Sequence, residues 1–478
     1  MTRNPYRSRL PVEDPLEFRG RRREVRLIME TIGAYRPGSV SLVGYRRIGK
    51  TSTLRFVQSQ SGAIAEFASL LSSPPDRYLF VFVDLEFLRI EDGSSSDAAV
   101  TFFRHLLTRL HHAVEKRLVR QPDFLSPDLA KRLRKRYEEG SRATDTYYLA
   151  TEGLEEYLRD VTLGDVVVVM LLDEADAIVK RGFGHALRSL VSTNPLAYVL
   201  ATQKPLHELD PEQDLSPLFN LCTPVPLGVL DEEAAHELVV EPAARAGLPF
   251  SPAETDFILS LGGGHPDFLK VAAMYVFDAR AQSAAAPATD DLIPAISLAL
   301  EGSCKSLLRG LNADEVAFVR AVADGSHDTS LSRTVALGLS ERGLLVRQGD
   351  GWGFFSPLFR DYVRRQPATE PVPAKSPAEP APSTSKLLLE GNHIVYGNIE
   401  ATLTPLEMRI LRVLSNRPGQ PVSRQEIYEG AWNDGPYEQG RDATINVAVQ
   451  RLRGKLKSQF RNQVRIEAER GEGYSLVV

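Results

Sequence analysis

The stretch "LVGYRRIGKTS", from Leu42 to Ser52, decides the fold of the first half of the chain. It fits the pattern G-x-x-x-x-G-K-[ST], the signature of a phosphate-binding loop. It follows the β-like run "SVSLV" and precedes the helical run "TSTLRFVQSQ", whereas a chance match in a glycine-containing turn has no reason to show such flanks. The residues of the predicted nucleotide-binding loop are Gly44, Tyr45, Arg46, Arg47, Ile48, Gly49, Lys50, Thr51 and Ser52.

An acidic pair supplies the second half of such a site. In a loop of this kind, Lys50 neutralises charge on the terminal phosphates and the Thr51 hydroxyl coordinates Mg²⁺. The buried run "VVVVMLLDEAD" ends in Asp173, which would hold Mg²⁺ through water, and Glu174, which would orient or deprotonate the attacking water. Alone, an acidic pair after a strand is more often a helix N-cap. With the loop, it predicts catalytic Lys50, Asp173 and Glu174, a metal site at Thr51 and Asp173, and ATP or ADP with Mg²⁺ as cofactors.

Composition limits the class of protein. The chain has 478 residues, of which 43% are hydrophobic and 25% charged, and this length predicts about three domains. The longest aliphatic run, Val166 to Leu172, is far shorter than the roughly 20 residues of a membrane span. The two cysteines, Cys222 and Cys304, lie in different predicted segments, so we expect a cytoplasmic protein without membrane contact. Because the net charge is −5, any DNA-binding surface must be local.

The first 228 residues alternate β-like runs with helical patterns. The runs "SVSLVG", "YLFVFVDLEF", "DVVVVMLLDE" and "LAYVLATQ" are nearly continuous in aliphatic residues, which is typical of parallel strands buried on both faces. This pattern predicts a P-loop αβα sandwich. The last run ends at Thr202 and Gln203, which are candidates for sensing the terminal phosphate, although hydrogen bonding at a buried strand end explains them almost as well.

The rest of the chain divides by pattern into four further segments, and the fold class is therefore multidomain α/β plus α+β. Residues 229–304 read as a helical lid, with Asp231 and Ser251 as N-caps. Residues 305–365 read as helices followed by a hairpin, which predicts a first winged helix. Residues 366–385 contain six prolines in twenty positions and predict a semi-rigid linker to a C-terminal domain at 386–478.

Several motifs together resemble one clade of P-loop proteins. "FRGRRRE", "GYRRIGKTS", "LLDEAD", "LATQKPL" and "GGGHPDFL" resemble the AAA+-related STAND NTPases, whose relatives include Orc/Cdc6-type initiators. The resemblance covers about Asn4 to Arg365. It implies that the segment from Phe18 to Glu24 packs near the adenine, and that His265 and Pro266 of the lid close over the nucleotide. A glycine-rich run before Pro266 equally suits a loop that begins a helix.

The C-terminal domain shows three helices and a final hairpin. Ser423 and Glu426 form a predicted capping box at the second helix. In the third helix an apolar stripe at helical spacing predicts the buried face; it consists of Ile445, Val449, Leu452 and Leu456. The segment from Arg441 to Lys457 carries a net charge of +4, whereas residues 386–478 as a whole carry +2, so the positive charge is concentrated on this helix.

This domain resembles the OmpR/PhoB-type winged helix-turn-helix over essentially its full length, in "LTPLEMRILRVL", "VSRQEI", "TINVAVQRLRGKL" and "RGEGY". The resemblance implies double-stranded DNA as a partner, with a recognition helix in the major groove and a wing near the minor groove. The predicted DNA-contacting residues are Thr444, Val447, Ala448, Gln450, Arg451, Arg453, Lys455 and Arg470. Three wing glutamates, Glu467, Glu469 and Glu472, leave a protein-interaction module as the alternative.

The two resemblances together predict an ATP-switched transcriptional regulator. In this hypothesis the core binds ATP, hydrolyses it slowly, and forms a homo-oligomer in the ATP state that changes how the C-terminal domain binds DNA. A signalling ligand or protein would act upstream. Two alternatives are an Orc/Cdc6-like initiator or DNA-remodelling ATPase, and a defence or stress sensor NTPase.

Overall fold

The computed structural model divides the chain into two compact units, Met1–Thr369 and Glu370–Val478. It describes residues 3–86, 95–142, 153–176, 183–209, 219–282, 289–325, 333–349, 351–366, 387–390, 393–396, 399–403, 405–432, 445–446, 448–449, 452–453, 455–456, 460, 464–469 and 473–477. Within these ranges no helix combines the length and the apolar character needed to cross a membrane. Cys222 and Cys304 are free thiols.

A five-stranded parallel sheet forms the centre of the first unit. Its strands are β1 (Ser39–Val43), β2 (Tyr78–Asp84), β3 (Val167–Asp173), β4 (Leu196–Thr202) and β5 (Cys222–Pro226). They lie in the order β2-β3-β4-β1-β5, and every neighbouring pair is parallel. Strands β1, β3 and β4 are buried along their whole length, as their aliphatic runs predict.

Helices cover both faces of this sheet. They are α1 (Arg22–Ile32), α2 (Lys50–Val57), α3 (Ala63–Glu66), α4 (Ser95–Arg120), α5 (Pro127–Arg142), α6 (Leu154–Thr162), α7 (Gly184–Thr193) and α8 (Leu206–Leu209). Because side chains alternate along a strand, Val168 and Met170 of β3 join the core under α4 and α6. Val169 and Leu171 join the opposite core under α1 and α2.

Two further groups of elements complete the first unit, and we name them the lid and the winged module after the predicted segments. The lid contains α9 (Glu232–Arg245), α10 (Pro252–Gly262), α11 (Pro266–Gln282) and α12 (Ile293–Arg309). The winged module contains α13 (Ala313–Ala323), α14 (Arg333–Glu341), β6 (Leu345–Gln348), β7 (Gly351–Phe354) and α15 (Pro357–Arg365). The predicted N-caps Asp231 and Ser251 are confirmed, since each accepts a hydrogen bond from the backbone three residues later. One hydrophobic core, including Phe268, Leu339 and Phe359, is shared by the lid and the winged module.

The second unit begins with a three-stranded antiparallel sheet, β8 (Leu388–Glu390), β9 (His393–Tyr396) and β10 (Ile399–Thr402). The helices α16 (Pro405–Ser415) and α17 (Arg424–Ala431) follow, and the described residues of the predicted third helix, at 445–446, 448–449, 452–453 and 455–456, are helical. The unit ends in a hairpin of β11 (Arg465–Glu469) and β12 (Gly473–Val477). The capping box of Ser423 and Glu426 is confirmed. The predicted stripe is also confirmed, because all four of its side chains are fully buried: Ile445, Val449, Leu452 and Leu456.

Candidate functional site

The phosphate-loop motif connects the end of β1 to the start of α2. Its two glycines are required for different reasons. Gly49 has φ 107°, which favours glycine, while no neighbour lies within 4 Å of an added Cβ. Gly44 has close neighbours instead: a Cβ there would lie 2.8 Å from Ile48 Cγ2 and 3.0 Å from the carbonyl oxygen of Leu227. The two glycines thus meet different requirements, Gly49 that of a left-handed backbone and Gly44 that of close packing.

The Lys50 side chain is buried at the centre of this loop. Its Nζ donates hydrogen bonds to the carbonyl oxygens of Gly44, at 2.8 Å, and Tyr45, at 3.1 Å. A buried ammonium group requires acceptor oxygens, and phosphate oxygens meet that requirement. Lys50 therefore suits the predicted role of neutralising phosphate charge.

Thr51 and Asp173 bring the loop and the end of β3 together. Thr51 Oγ1 donates to Asp173 Oδ2 at 2.7 Å, and the backbone N–H of Glu174 donates to Asp173 Oδ1 at 3.1 Å. Burial raises the pKa of Asp173, and the hydrogen bond from Thr51 opposes that shift. A hydroxyl beside a buried carboxylate is a set of hard oxygen donors, which fits Mg²⁺.

Glu174 lies in the left-handed region of backbone conformation, with φ 55°. This is uncommon for a residue with a side chain, and such positions cluster at functional sites. Glu174 borders the same cavity as Lys50 and Thr51. The carboxylate predicted to act on water is therefore placed beside the predicted phosphate and metal positions.

This cavity has a volume of about 240 Å³ and lies between the loop, the lid and the N-terminal segment. Nine of the predicted site residues line it: Arg46, Arg47, Ile48, Gly49, Lys50, Thr51, Ser52, Glu174 and Pro266. Phe18, Leu230 and Leu238 supply an apolar side. Phe18 also stacks on Phe56, with ring centroids 4.3 Å apart and planes 12° apart. An apolar wall beside a cationic phosphate loop fits a nucleotide, whose base has planar faces that stack on apolar side chains and whose phosphates are charged.

Two predicted sensing residues lie at the end of β4, beside the loop but not on the cavity wall. The backbone N–H of Gly44 donates to the Thr202 carbonyl at 3.1 Å. Thr202 Oγ1 donates to the Lys204 carbonyl at 2.8 Å, and the Gln203 backbone N–H donates to the Asp176 carboxylate at 3.1 Å. These bonds match the structural alternative, namely hydrogen bonding at a strand end.

His265 and Tyr45 also point away from the cavity. The His265 ring packs against Phe268 and Phe355, at centroid distances of 4.9 and 5.3 Å, and burial lowers its pKa to about 4. Its imidazole is therefore neutral at physiological pH. Tyr45 is buried in the core of the lid and winged module, and the Arg342 guanidinium lies 5.0 Å from its ring centroid. The phosphate loop thus packs directly on the winged module.

Sequence reasoning missed Asp267, the second residue of α11. Its carboxylate accepts hydrogen bonds from Arg9 at 2.8 Å, from Arg47 at 3.3 Å and from Ser303 at 2.7 Å. Burial alone would raise the pKa of Asp267, but the bonds from Ser303 and Arg9 and the charge of Arg47 lower it overall. An acidic residue in the first turn of a helix was the only local signal, and it did not reveal partners more than 200 residues away.

The candidate DNA surface of the second unit is described only in part. Arg453 is exposed, Ala448 is half-buried, and Lys455 Nζ lies 3.3 Å from Glu407 Oε2 of α16. Five predicted DNA contacts lie outside the described residues: Thr444, Val447, Gln450, Arg451 and Arg470.

Comparison with known proteins separates the two units. Residues 398–476 match the family described as "Transcriptional regulatory protein, C terminal". The transcriptional regulatory protein AfsQ1 of Streptomyces coelicolor is 39% identical over 74 residues, which cover 16% of this chain and 32% of AfsQ1. CseB of the same species is 44% identical over 75 residues, which cover 16% of this chain and 29% of CseB. The chain thus spans about a third of the length of these curated relatives.

The Walker-type ATPase PABY2304 of Pyrococcus abyssi has a similar structure, with a TM-score of 0.51 at 16% sequence identity. The match covers 75% of this chain and 99% of that protein. At this identity the likeness shows the fold alone. Together, the comparisons confirm the predicted fold class: a P-loop ATPase fold followed by a C-terminal winged-helix domain of transcriptional regulators.

Proposed function

We propose that this chain, which joins a P-loop ATPase fold to a C-terminal domain of transcriptional regulators, is an ATP-switched DNA-binding regulator. The observation that carries the proposal is the placement of Lys50, Thr51 and Glu174 on one cavity, with Asp173 bonded to Thr51. In this proposal ATP occupancy of the first unit changes how the second unit binds double-stranded DNA.

The side chains divide the work at the nucleotide. Lys50 offers its ammonium to phosphate oxygens, while Thr51 and Asp173 offer the oxygens that would hold Mg²⁺. When bound, Mg²⁺ supplies positive charge that offsets the charge of the phosphates. Glu174 would accept the proton of the attacking water, because its carboxylate borders the same cavity.

The loop contacts support a switch. The phosphate loop contacts the lid through Arg47 and Asp267, and the winged module through Tyr45 and Arg342. A nucleotide that moves this loop therefore acts on two neighbouring modules at once. A ligand shifts a conformational equilibrium only through its different affinity for the two states, and these contacts are where such a difference would arise.

The test is DNA affinity of the full chain with ADP, ATP and a non-hydrolysable ATP analogue, using a duplex selected from random-sequence DNA. We expect affinities with ATP and its analogue to differ from that with ADP by about 5- to 150-fold, the usual range of allosteric coupling. Lys50→Ala removes the phosphate partner and should make DNA affinity independent of nucleotide. Glu174→Gln should bind ATP and remain in the ATP state.

Equal DNA affinities under all three conditions reject the switch. Rapid ATP turnover that is stimulated by DNA and abolished in Glu174→Gln would instead support a DNA-remodelling ATPase. In that second case, loss of ATP turnover in Lys50→Ala shows that the loop is involved.

A further inference from the structure

A cluster of charged groups joins three parts of the first unit at the edge of the nucleotide cavity. Asp267 of the lid helix α11 is buried, with 7% of its side chain exposed. It accepts hydrogen bonds from Arg9 of the N-terminal segment, Arg47 of the phosphate loop and Ser303 of α12. Arg9, Arg47 and Asp267 all line the cavity that Lys50 lines. The carboxylate therefore lies where cationic groups of the site already converge.

The two arginines hold Asp267 unequally. Arg9 Nη2 lies 2.8 Å from both carboxylate oxygens and its Nε lies 3.0 Å from one of them. Arg47 makes a single longer contact to Asp267, at 3.3 Å, and its Nη1 also donates to Ser303 Oγ at 3.1 Å. Of the Arg47 side chain, 47% is exposed. Without Arg47, Asp267 would keep Arg9 and Ser303, so its burial does not depend on Arg47. The Arg47 contact is the more exchangeable of the two, because it is a single, longer hydrogen bond from a half-exposed side chain, whereas Arg9 makes three shorter ones.

We propose that Asp267 and the terminal phosphate of ATP compete for the Arg47 side chain. The exchange of Arg47 between these two anions couples the presence of the third phosphate to the lid. The proposal rests on the nucleotide binding proposed above and assigns Arg47 and Asp267 as positioning residues. When Arg47 turns to the phosphate, the phosphate loop loses its direct ion pair to α11. ADP lacks the third phosphoryl group and leaves Arg47 on Asp267.

The backbone at Arg47 supports a specific role for its side chain. Arg47 has φ 65°, a left-handed conformation that is unfavourable for a residue other than glycine. Glycine would relieve that cost at this position. An arginine placed there directs a cation to the junction of loop, lid and cavity.

The experiment measures ATP and ADP affinities of the full chain in the presence of Mg²⁺ by equilibrium titration. We expect Arg47→Ala to lower the ratio of ATP affinity to ADP affinity by about five- to tenfold, because a charge-assisted hydrogen bond to phosphate is lost. Asp267→Asn should raise the ratio by about threefold, because the competing charge is removed while Asn keeps a polar partner for Ser303. ADP affinity should change little in either variant.

A double-mutant cycle separates this exchange from a structural effect. The increase in the ratio of ATP to ADP affinity that Asp267→Asn causes should vanish in an Arg47→Ala background and persist in an Arg46→Ala background. Arg46→Ala is the matched control, since it removes the same charge from the same loop and cavity. An unchanged ratio in Arg47→Ala, or an increase that persists without Arg47, would overturn the proposal. Arg47→Ala alters a half-exposed loop side chain and tests the idea even if Asp267→Asn fails to fold.

Failure of the proposed function gives a different result. If the unmutated chain binds neither nucleotide, and Lys50→Ala behaves identically, the nucleotide site itself is rejected and this inference falls with it. Both nucleotides could instead bind in a way that depends on Lys50, with a ratio of ATP to ADP affinity that does not change in the Arg47 and Asp267 variants. In that case the nucleotide site is supported and only the exchange is rejected.

Discussion

At the scale of single residues, Asp173 shows how burial of a carboxylate at the candidate site opposes the stability of the fold. Burial raises its pKa, so the charged form is disfavoured in the folded state. The favourable contribution of such a group is complete below its unfolded pKa and is lost as pH rises through its raised folded pKa. We therefore expect Asp173 to decrease the free energy of unfolding of the nucleotide-free chain as pH rises from the unfolded pKa of its carboxyl group to the folded pKa.

Asp173→Asn removes this charge and keeps an acceptor for the Thr51 hydroxyl. We expect it to stabilise the nucleotide-free chain at neutral pH by about 0.5–2 kcal/mol, as replacements of strained functional groups often do. The same change should abolish the additional stabilisation by Mg²⁺ and ATP. Thermal unfolding at pH 5 and pH 8, with and without Mg²⁺ and ATP, measures both effects. A variant less stable than the parent at pH 8 would contradict the expectation.

The residue scale also shows what the sequence could and could not reveal about the site. Lys50, Thr51 and the acidic pair at the end of β3 were identifiable because their pattern is local and its flanks are strands and helices. Asp267 was not, because its partners Arg9 and Arg47 are far away in the chain. The motif also gave no sign that the side chain of Tyr45 is buried in the core of the lid and winged module.

At the scale of elements, strands with regular apolar patterns were predictable and irregular ones were not. The runs that became β1 to β4 are aliphatic because they are buried in the sheet. The short strand β5 contains Pro224 and Pro226, which mask its character, and it lies at the sheet edge, where proline is tolerated. The strands β8 to β10 are only three or four residues long, too short for a clear period.

The junction between α10 and the winged module offers a test of element packing. Gly263 follows α10 with φ 54°, and an added Cβ would lie 1.4 Å from the carbonyl oxygen of Phe355. Gly247 follows α9 with φ 77°, and nothing lies within 4 Å of its Cβ position. The two glycines therefore share a left-handed backbone but differ in available space.

We expect Gly247→Ala to cost about 1–2 kcal/mol, which is the conformational penalty alone. Gly263→Ala should cost more than about 4 kcal/mol, because the backbone of Phe355 must also move. Chemical denaturation of the full chain, followed by circular dichroism, measures the difference. Equal losses in the two variants would mean that the lid and winged module adjust freely to each other at this junction.

At the scale of the whole molecule, the chain combines a P-loop ATPase fold with a C-terminal segment that matches a family of transcriptional regulatory proteins, and each was predictable from its own motifs. The core that the lid and the winged module share was not predictable from the sequence, because composition and periodicity do not specify contacts between modules. The overall charge of −5 remains unfavourable for DNA binding. In the proposed function, DNA binding therefore rests on basic side chains of the second unit, and their contributions can be measured one at a time.

Arg453 and Lys455 provide that measurement. Arg453 is exposed, whereas Lys455 is half-buried and lies 3.3 Å from Glu407, so releasing it to a phosphate would break an ion pair. Each phosphate contact contributes about 0.9 to the slope of log affinity against log salt. We expect Arg453→Ala to reduce the magnitude of this slope by about 1, and Lys455→Ala to change it much less. Titration of a mixed-sequence duplex across salt concentrations measures both slopes.

Arg417→Ala, which removes a charge paired with Glu426, controls for net charge. A larger loss of slope in Lys455→Ala than in Arg453→Ala would show that the ion pair with Glu407 opens when DNA binds.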